Sequence, residues 1–329
     1  MADEGPRAGG GAAAPVEHLP VLSDEALDLL APERGGLFVD ATVGLGGHAA
    51  ALLERAPAAR LVGLDRDAAA LRRAAERLAP FGARARLVQA NFHRFAQVLA
   101  ELGVERGAVA GALFDLGVSS LQLGTADRGF SFRLDGPLDM RMGLSDLTAA
   151  DLVNHSAEGD LEKIFRDFGE ERKARRIARA IVDARVERPI ATTADLKRVI
   201  DRAKGAGPHP SAALGRGGRI DPATRVFQAL RIAVNEELAG LQRSIEQAVD
   251  MMSSDGRLVV ISYHSLEDRI AKNTLRDMAR GEVDQVTGRP LAESQLIEVL
   301  TRKPIRPAPR EVDRNPRSRS ARLRSARRL

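Results

Sequence analysis

The sequence predicts an α/β fold: an open, mostly parallel sheet covered by helices and interrupted after its fourth strand by a helical insertion. Three observations predict it. Short β-branched runs alternate with helical stretches through the first third of the chain. The alternation stops from about Leu121 to Arg219, a stretch of helical pattern and high charge. After one more long helical run, Arg257–Tyr263 is again a buried-type strand.

Residues 1–15 are rich in Gly, Ala and Pro, carry Asp3 and Glu4 and lack an apolar centre, so they read as a disordered leader and not a signal peptide. Strands are expected at Leu37–Val43, Arg60–Asp65, Ala85–Ala90 and Ala110–Gly117, with helices at Ala49–Arg55, Ala68–Leu78 and Phe92–Leu102 between them. Within the insertion, Glu170–Arg185 sets Ala174, Ile177, Ile181 and Ala184 at helical spacing, while Arg172, Arg176 and Arg179 form a basic stripe off that apolar face. A Gly/Pro-rich loop, Gly205–Gly218, closes the segment. Asp221 then reads as an N-cap, with Pro222 opening a periodic run through Val226, Leu230, Ala233, Leu241, Ile245 and Val249 that Gly256 ends. The expected division is one domain of residues 16–120 and 220–329 carrying an insertion of residues 121–219.

With 329 residues, 44% hydrophobic and 29% charged, the chain can bury a substantial core. It has no cysteine, which excludes a disulfide framework, a cysteine-ligated zinc and a cysteine nucleophile; no metal is expected, and a reducing cytoplasm fits. No apolar run approaches the ~18 residues of a membrane span. The net charge of +5 is unevenly placed: residues 302–329 hold eleven Lys and Arg against Glu311 and Asp313, a local +9, leaving −4 on the remainder. A basic tail on a mildly acidic body points to a polyanion such as nucleic acid, or equally to a solvated tail. With Tyr263 the only tyrosine and no tryptophan, a long base-stacking platform is not expected.

The first strand runs into Asp40-Ala-Thr-Val-Gly44-Leu-Gly46-Gly47-His48 and then a helix. Glycines there let backbone approach a ligand, and the free amides of the helix favour a negative group. Asp65 ends the next strand, 21 residues beyond Gly44, where an α/β nucleotide site places the carboxylate that receives ribose hydroxyls. A dinucleotide needs the spacing G-x-G-x-x-G. Here it is G-x-G-G, with no third glycine, and Asp40 stands four residues ahead of the first.

Motifs along the whole chain resemble those of the RsmH/MraW family of ribosomal RNA small subunit (16S rRNA) cytosine-N4 methyltransferases. They include His18-Leu-Pro-Val-Leu22, Asp40–His48, Asp65-Arg-Asp67, Asp115-Leu-Gly-Val-Ser-Ser120, Arg128-Gly-Phe-Ser-Phe132 and Asp135–Met142. Further on come Gly169-Glu-Glu-Arg172, Arg175–Ile181, Pro222–Ile232, Ser262-Tyr-His-Ser-Leu-Glu-Asp-Arg269 and Asn315–Ala321. The resemblance implies a Rossmann-like class I S-adenosylmethionine methyltransferase sheet, S-adenosyl-L-methionine as cofactor, and 16S ribosomal RNA or the small ribosomal subunit as partner. It leaves room for a homodimer and calls for no membrane.

Residue by residue, it implies a cofactor site of Gly46, Gly47, His48, Asp65, Phe92, Asp115 and Gln122. The glycines would admit the methionine end, Asp65 the ribose, and Phe92 the adenine face. Gly124, Asp127, Asp221 and Tyr263 depart from the family pattern, Tyr263 standing where phenylalanine is usual. The exocyclic amine of cytosine is a weak nucleophile, so an acceptor must orient it and a proton must leave. Asp115, Asp139 and His264 are the candidates. Grip on the RNA backbone is expected from Arg128, Arg133 and Arg141, from Arg172, Arg176 and Arg179, and from Arg317 and Arg319. The competing readings are a nicotinamide-dependent oxidoreductase on the same architecture and a non-catalytic RNA-binding protein with a degenerate pocket.

Overall fold

The structure, a computed structural model, describes residues 19–118, 122, 124–143, 145–205, 221–282, 291 and 294–329. The expected leader, residues 1–15, and all but the first residue of the Gly205–Gly218 loop lie outside them.

Strands β1 (Gly36–Asp40), β2 (Ala59–Asp65), β3 (Ala85–Gln89), β4 (Val109–Leu116), β5 (Met252–Ser262), β6 (Ile297–Val299) and β7 (Arg322–Arg328) form one seven-stranded sheet in the order β3-β2-β1-β4-β5-β7-β6. The first five are mutually parallel. β7 runs antiparallel between β5 and β6. This is the open, mostly parallel α/β sheet that the sequence predicts. Strand order reverses between β1 and β4, so their carboxyl ends open onto the crevice where such sheets bind ligands.

Side chains alternate across the sheet with period two. Phe38, Leu61, Leu113, Val259, Ile261 and Leu323 face α1 (Ser23–Leu30), α2 (Gly47–Arg55) and α3 (Ala68–Leu78). Val39, Val62, Phe114, Leu258 and Val260 face α4 (Phe95–Glu101), α10 (Leu241–Met251) and α11 (Ser265–Arg280). Both faces are thus covered, which explains why these strands read as nearly continuous apolar runs.

Between β4 and β5, helices α5 (Ala149–His155), α6 (Glu158–Asp167), α7 (Ala174–Glu187) and α8 (Thr193–Lys204) build a separate apolar cluster around Leu161, Phe165, Ile177, Ile181, Leu196 and Ile200. Helix α9 (Thr224–Asn235) adds Val226, Phe227 and Leu230 to that cluster, although it lies beyond residue 219. α12 (Pro309–Arg314) precedes the last strand.

Four local expectations change. β1 ends at Asp40, not Val43, because the chain turns into the glycine loop. The helix expected from Glu170 begins at Ala174, since Glu170 is left-handed at φ 46 and donates nothing to the helical pattern. The long run after Pro222 is two helices, broken where Glu236 (φ 49) and Gly240 (φ 72) turn the chain. Asp221 does cap the turn before α9, its Oδ1 accepting from Ala223 N–H at 2.8 Å, but the helix proper starts at Thr224.

The basic tail is the largest departure. Arg322–Arg328 is a strand inside the sheet, with Leu323, Ser325 and Ala326 fully buried. Arg324 donates to Asp268 at 2.6 Å and Arg322 to the other oxygen at 3.2 Å, while Arg327 reaches Asp255 and Glu298. These cations tie β7 to α11, β5 and β6 and leave the remaining tail cations for other work.

Candidate active site

The glycine loop follows β1. Gly44 and Gly46 have φ of 52° and 77°, a left-handed region that costs an ordinary residue about 1 kcal/mol or more. Gly47 opens α2, and a Cβ there would press on Pro20 at 3.3 Å. Asp65, at the end of β2, accepts from Gly44 N–H at 2.9 Å and Asp67 N–H at 2.8 Å. Burial raises its carboxyl to about 6 against those two bonds.

A cavity of about 610 Å³ runs from this cradle across the ends of β1 and β4. Its lining includes Gly44, Gly47, Asp65, Asn91, Phe92 and Gln122. His48, Asp115, Tyr263, Glu267, Glu237 and Arg231 also line it, with Arg133, Arg314 and Arg317 on its wall. The size suits a nucleoside-bearing ligand. A carboxylate held by two backbone N–H groups keeps lone pairs for two hydroxyls, so the cradle at Asp65 fits an adenosine ribose. Phe92 packs edge-on against Phe114 at 6.1 Å, fixing its ring on the wall.

Asp115 lies at the end of β4. Its Oδ1 accepts from the Tyr263 hydroxyl at 2.8 Å, and its Oδ2 lies 3.5 Å from His48 Nδ1. Burial, and then the Asp115 charge, push the Tyr263 phenol well above its ordinary value, so it stays an O–H donor. Beneath them Asp40 is buried and pushed up to about 8 by desolvation.

The expected site residues separate into two groups. Gly47, His48, Asp65, Phe92, Asp115, Gln122, Arg133 and Arg317 line the cavity, and Gly46 forms the turn beneath it. Asp139 does not reach it: both its oxygens are taken by the Arg141 guanidinium at 2.9 and 2.7 Å, which holds its carboxyl below the ordinary range against burial. The same pair occupies Arg141. Arg128 is a clasp and not a free phosphate grip, since it donates to Asp67 at 2.8 Å and to Arg141 O at 2.9 Å. Gln122 Nε2 donates to the same Asp67 oxygen at 3.0 Å.

His264 sits behind the wall as N-cap of α11, with Glu267 in a reciprocal capping box. Its Nε2 lies 3.0 Å from Glu267 Oε1, and Glu237 completes a cluster with all ligand atoms within 4.8 Å. Arg231 takes both oxygens of Glu237 at 2.8 Å, so the cluster is an ion network joining α9 to α11. Arg172, Arg176, Arg179 and Arg319 are exposed.

Sequence reasoning passed over Asn235, Arg231 and Glu237. Asn235 is buried and bridges Met140 O at 2.7 Å and Met142 N–H at 2.8 Å, holding the loop that follows β4. Its signal was an amide at a core position of an apolar helix.

The model of the MraW methylase family matches residues 15–329. The chain belongs to the MraW methylase family. Among curated relatives, the ribosomal RNA small subunit methyltransferase H of Geotalea uraniireducens is 50% identical over 316 residues, covering 95% of this chain and 98% of its own. That of Geobacter sulfurreducens is 50% identical over 322 residues, covering 95% and 99%. That of Symbiobacterium thermophilum is 48% identical over 316 residues, covering 94% and 95%. Among solved structures, an rRNA methylase from Streptococcus thermophilus aligns with a TM-score of 0.37 at 12% identity over 93% of both chains, too loose a match to transfer any residue. No helix among the described residues is long and apolar enough to cross a membrane.

Proposed function

We propose that this MraW-family chain transfers a methyl group from S-adenosyl-L-methionine to N4 of a decoding-site cytosine, position 1402, of 16S ribosomal RNA. The products are N4-methylcytosine and S-adenosylhomocysteine. One observation carries the reading beyond family membership: a single cavity joins the ribose-accepting Asp65 to Asp115 at the strand switch point. When bound, S-adenosylmethionine supplies an electrophilic methyl on a sulfonium sulfur. Gly44, Gly46, Gly47 and Gln122 would hold its methionine end, Asp65 its ribose and Phe92 its adenine. Asp115 accepts an N–H of the cytosine amine and turns the nitrogen lone pair toward the methyl. Asp139 and His264, engaged by Arg141 and Glu267, keep supporting roles in this reading.

Arg133 and Arg317 on the cavity wall would grip the flanking phosphates, and Arg172, Arg176, Arg179 and Arg319 a more distant stretch of RNA. The segment of residues 121–219 would present that outer surface, while residues 16–120 and 220–329 hold the cofactor. A ribosomal substrate places the enzyme in the cytoplasm, and sedimentation of the purified chain decides between monomer and homodimer.

The test is incubation of the purified chain with S-adenosylmethionine and small ribosomal subunits from cells lacking the gene, followed by nucleoside mass spectrometry. N4-methylcytidine is expected. Its absence with the unmodified subunit, or a thermal shift with NADH and none with S-adenosylhomocysteine, overturns the reading.

A further inference from the structure

His48 is 6% exposed in the first turn of α2, and both its ring nitrogens have neighbours that define their roles. Nε2 lies 2.9 Å from the carbonyl oxygen of Val21. A carbonyl only accepts, so Nε2 carries the proton. The neutral imidazole then has its lone pair on Nδ1, and that lone pair faces Asp115 Oδ2 at 3.5 Å. Two acceptors facing each other favour the arrival of a proton between them. The other oxygen of Asp115 meets the opposite influence, because the Tyr263 hydroxyl donates to Oδ1 at 2.8 Å and favours the ionised carboxylate. Asp115 therefore bridges the Tyr263 hydroxyl and the His48 ring.

We propose that His48 is the positioning residue for proton removal: its Nδ1 receives, through Asp115, the proton that leaves the cytosine amine. This rests on the methyl-transfer reading above. As the bond from N4 to the methyl carbon forms, the carbon–sulfur bond breaks with its pair on sulfur, and N4 becomes cationic. Its N–H pair stays on nitrogen while the proton passes to the Asp115 carboxylate and from Oδ2 to His48 Nδ1. The imidazolium then releases it to water. The other titratable groups around the pair are the Tyr263 hydroxyl and Asp40 at the end of β1, and beyond these Glu267 on α11 and Glu311 on α12 near Tyr263 and Asp65 at the end of β2 near Asp40. None of these is a base positioned on Nδ1, and Arg314 and Arg317 stand on the cavity wall beyond them.

His48→Gln retains a donor for Val21 and removes the base at the Nδ1 position, whereas His48→Asn places there an amide oxygen that accepts a hydrogen bond but takes up no proton near neutral pH. His48→Gln is compared with the parent at saturating S-adenosylmethionine, with calorimetry of S-adenosylhomocysteine measuring separately any change in cofactor binding. The variant's single-turnover methyl transfer to small subunits should fall about a hundredfold, with the acid limb of the pH–rate profile moving by about one unit or more. His48→Asn should regain none of that loss, because its amide oxygen is not a base, and recovery to the parent rate would overturn the proposal by showing that only a hydrogen-bond acceptor is needed. Nitrogen-15 NMR of histidine-labelled parent chain should show Nε2 protonated and Nδ1 bare at pH 8. A His48→Gln variant with normal cofactor binding, rate and pH profile overturns the proposal, as does the opposite tautomer. If the parent forms no N4-methylcytidine, the methyl-transfer reading fails instead, and the NMR tautomer still judges the pairing.

Discussion

Arg128 and Asp67 are 61 residues apart and meet at 2.8 Å, tying the loop beyond β4 to the N-terminus of α3. Asp67 is also the cap of that helix and the acceptor for Gln122, so one buried carboxylate gathers a helix end, a cavity-lining amide and a guanidinium. Burial raises its carboxyl, and the donors from Gln122 and Arg128 outweigh that and hold it below the ordinary range. Arg128→Ala leaves that carboxylate short of a partner and should cost about 2 kcal/mol of stability. Urea unfolding measures this, and calorimetry should show weaker S-adenosylhomocysteine binding as the loop beyond β4, which carries Gln122, loses its Arg128 tie. A variant with unchanged stability would show the clasp to be an incidental surface pair.

Asp65 must be ionised to receive two ribose hydroxyls, and its carboxyl stands at about 6 in the free protein. S-adenosylhomocysteine affinity should therefore hold above pH 7 and weaken as pH falls through about 6. Asp65→Asn should lower affinity by about 1–3 kcal/mol at pH 8 and abolish that pH dependence. Calorimetry across pH 5 to 8, as an approximate range, checks both; a flat profile in the parent places the ribose elsewhere.

Asp40 carries the opposite message for stability. Its carboxyl rises from 3.8 when unfolded to about 8 when folded, so over that window the native state holds a proton the unfolded chain has lost. That linkage lowers stability as pH rises from about 4 to about 8, then levels off. Asp40→Asn keeps an acceptor for Thr42 N–H and removes the ionisation. Its melting temperature should drop less than the parent's between pH 6 and 9 (approximate endpoints), and parallel curves for the two proteins would refute the assignment.

Arg172, Arg176 and Arg179 should act on RNA and not on cofactor, since they lie on the outer face of the helical segment and are exposed. Replacing all three with glutamine should weaken small-subunit RNA binding and reduce the slope of log affinity against log salt by about 2. Cofactor affinity should stay at the parent value. Coincident salt series for parent and variant would reduce the stripe to a solvated helix face.

The parallel strands and the glycine loop were legible because their apolar runs and G-x-G-G spacing depend on local chemistry alone. Asp65 and Asp115 were legible for the same reason, as strand-end carboxylates. The last strand was not, since Arg322, Arg324, Arg327 and Arg328 disguise it, and only their partners Asp268, Asp255 and Glu298 reveal why a sheet tolerates them. Arg128, Asp139 and Arg141 looked like site residues because sequence shows charge but not the partner that neutralises it. The role of His48 depended on which nitrogen meets Val21, a fact of tertiary geometry that no spacing encodes.

Segments from near both ends of the described chain meet at the cavity wall. Leu22 N–H donates to Glu311 at 2.8 Å across 289 positions, Asn315 donates to Leu19 O at 3.2 Å, and β7 then inserts between β5 and β6. A ribosome making this protein therefore emits nearly every catalytic side chain before the piece that completes the sheet. Contacts of such long sequence separation form late in folding. The nascent enzyme should thus stay incompetent until β7 clears the exit tunnel, and a product stalled before β7 would be silent toward the machinery that made it.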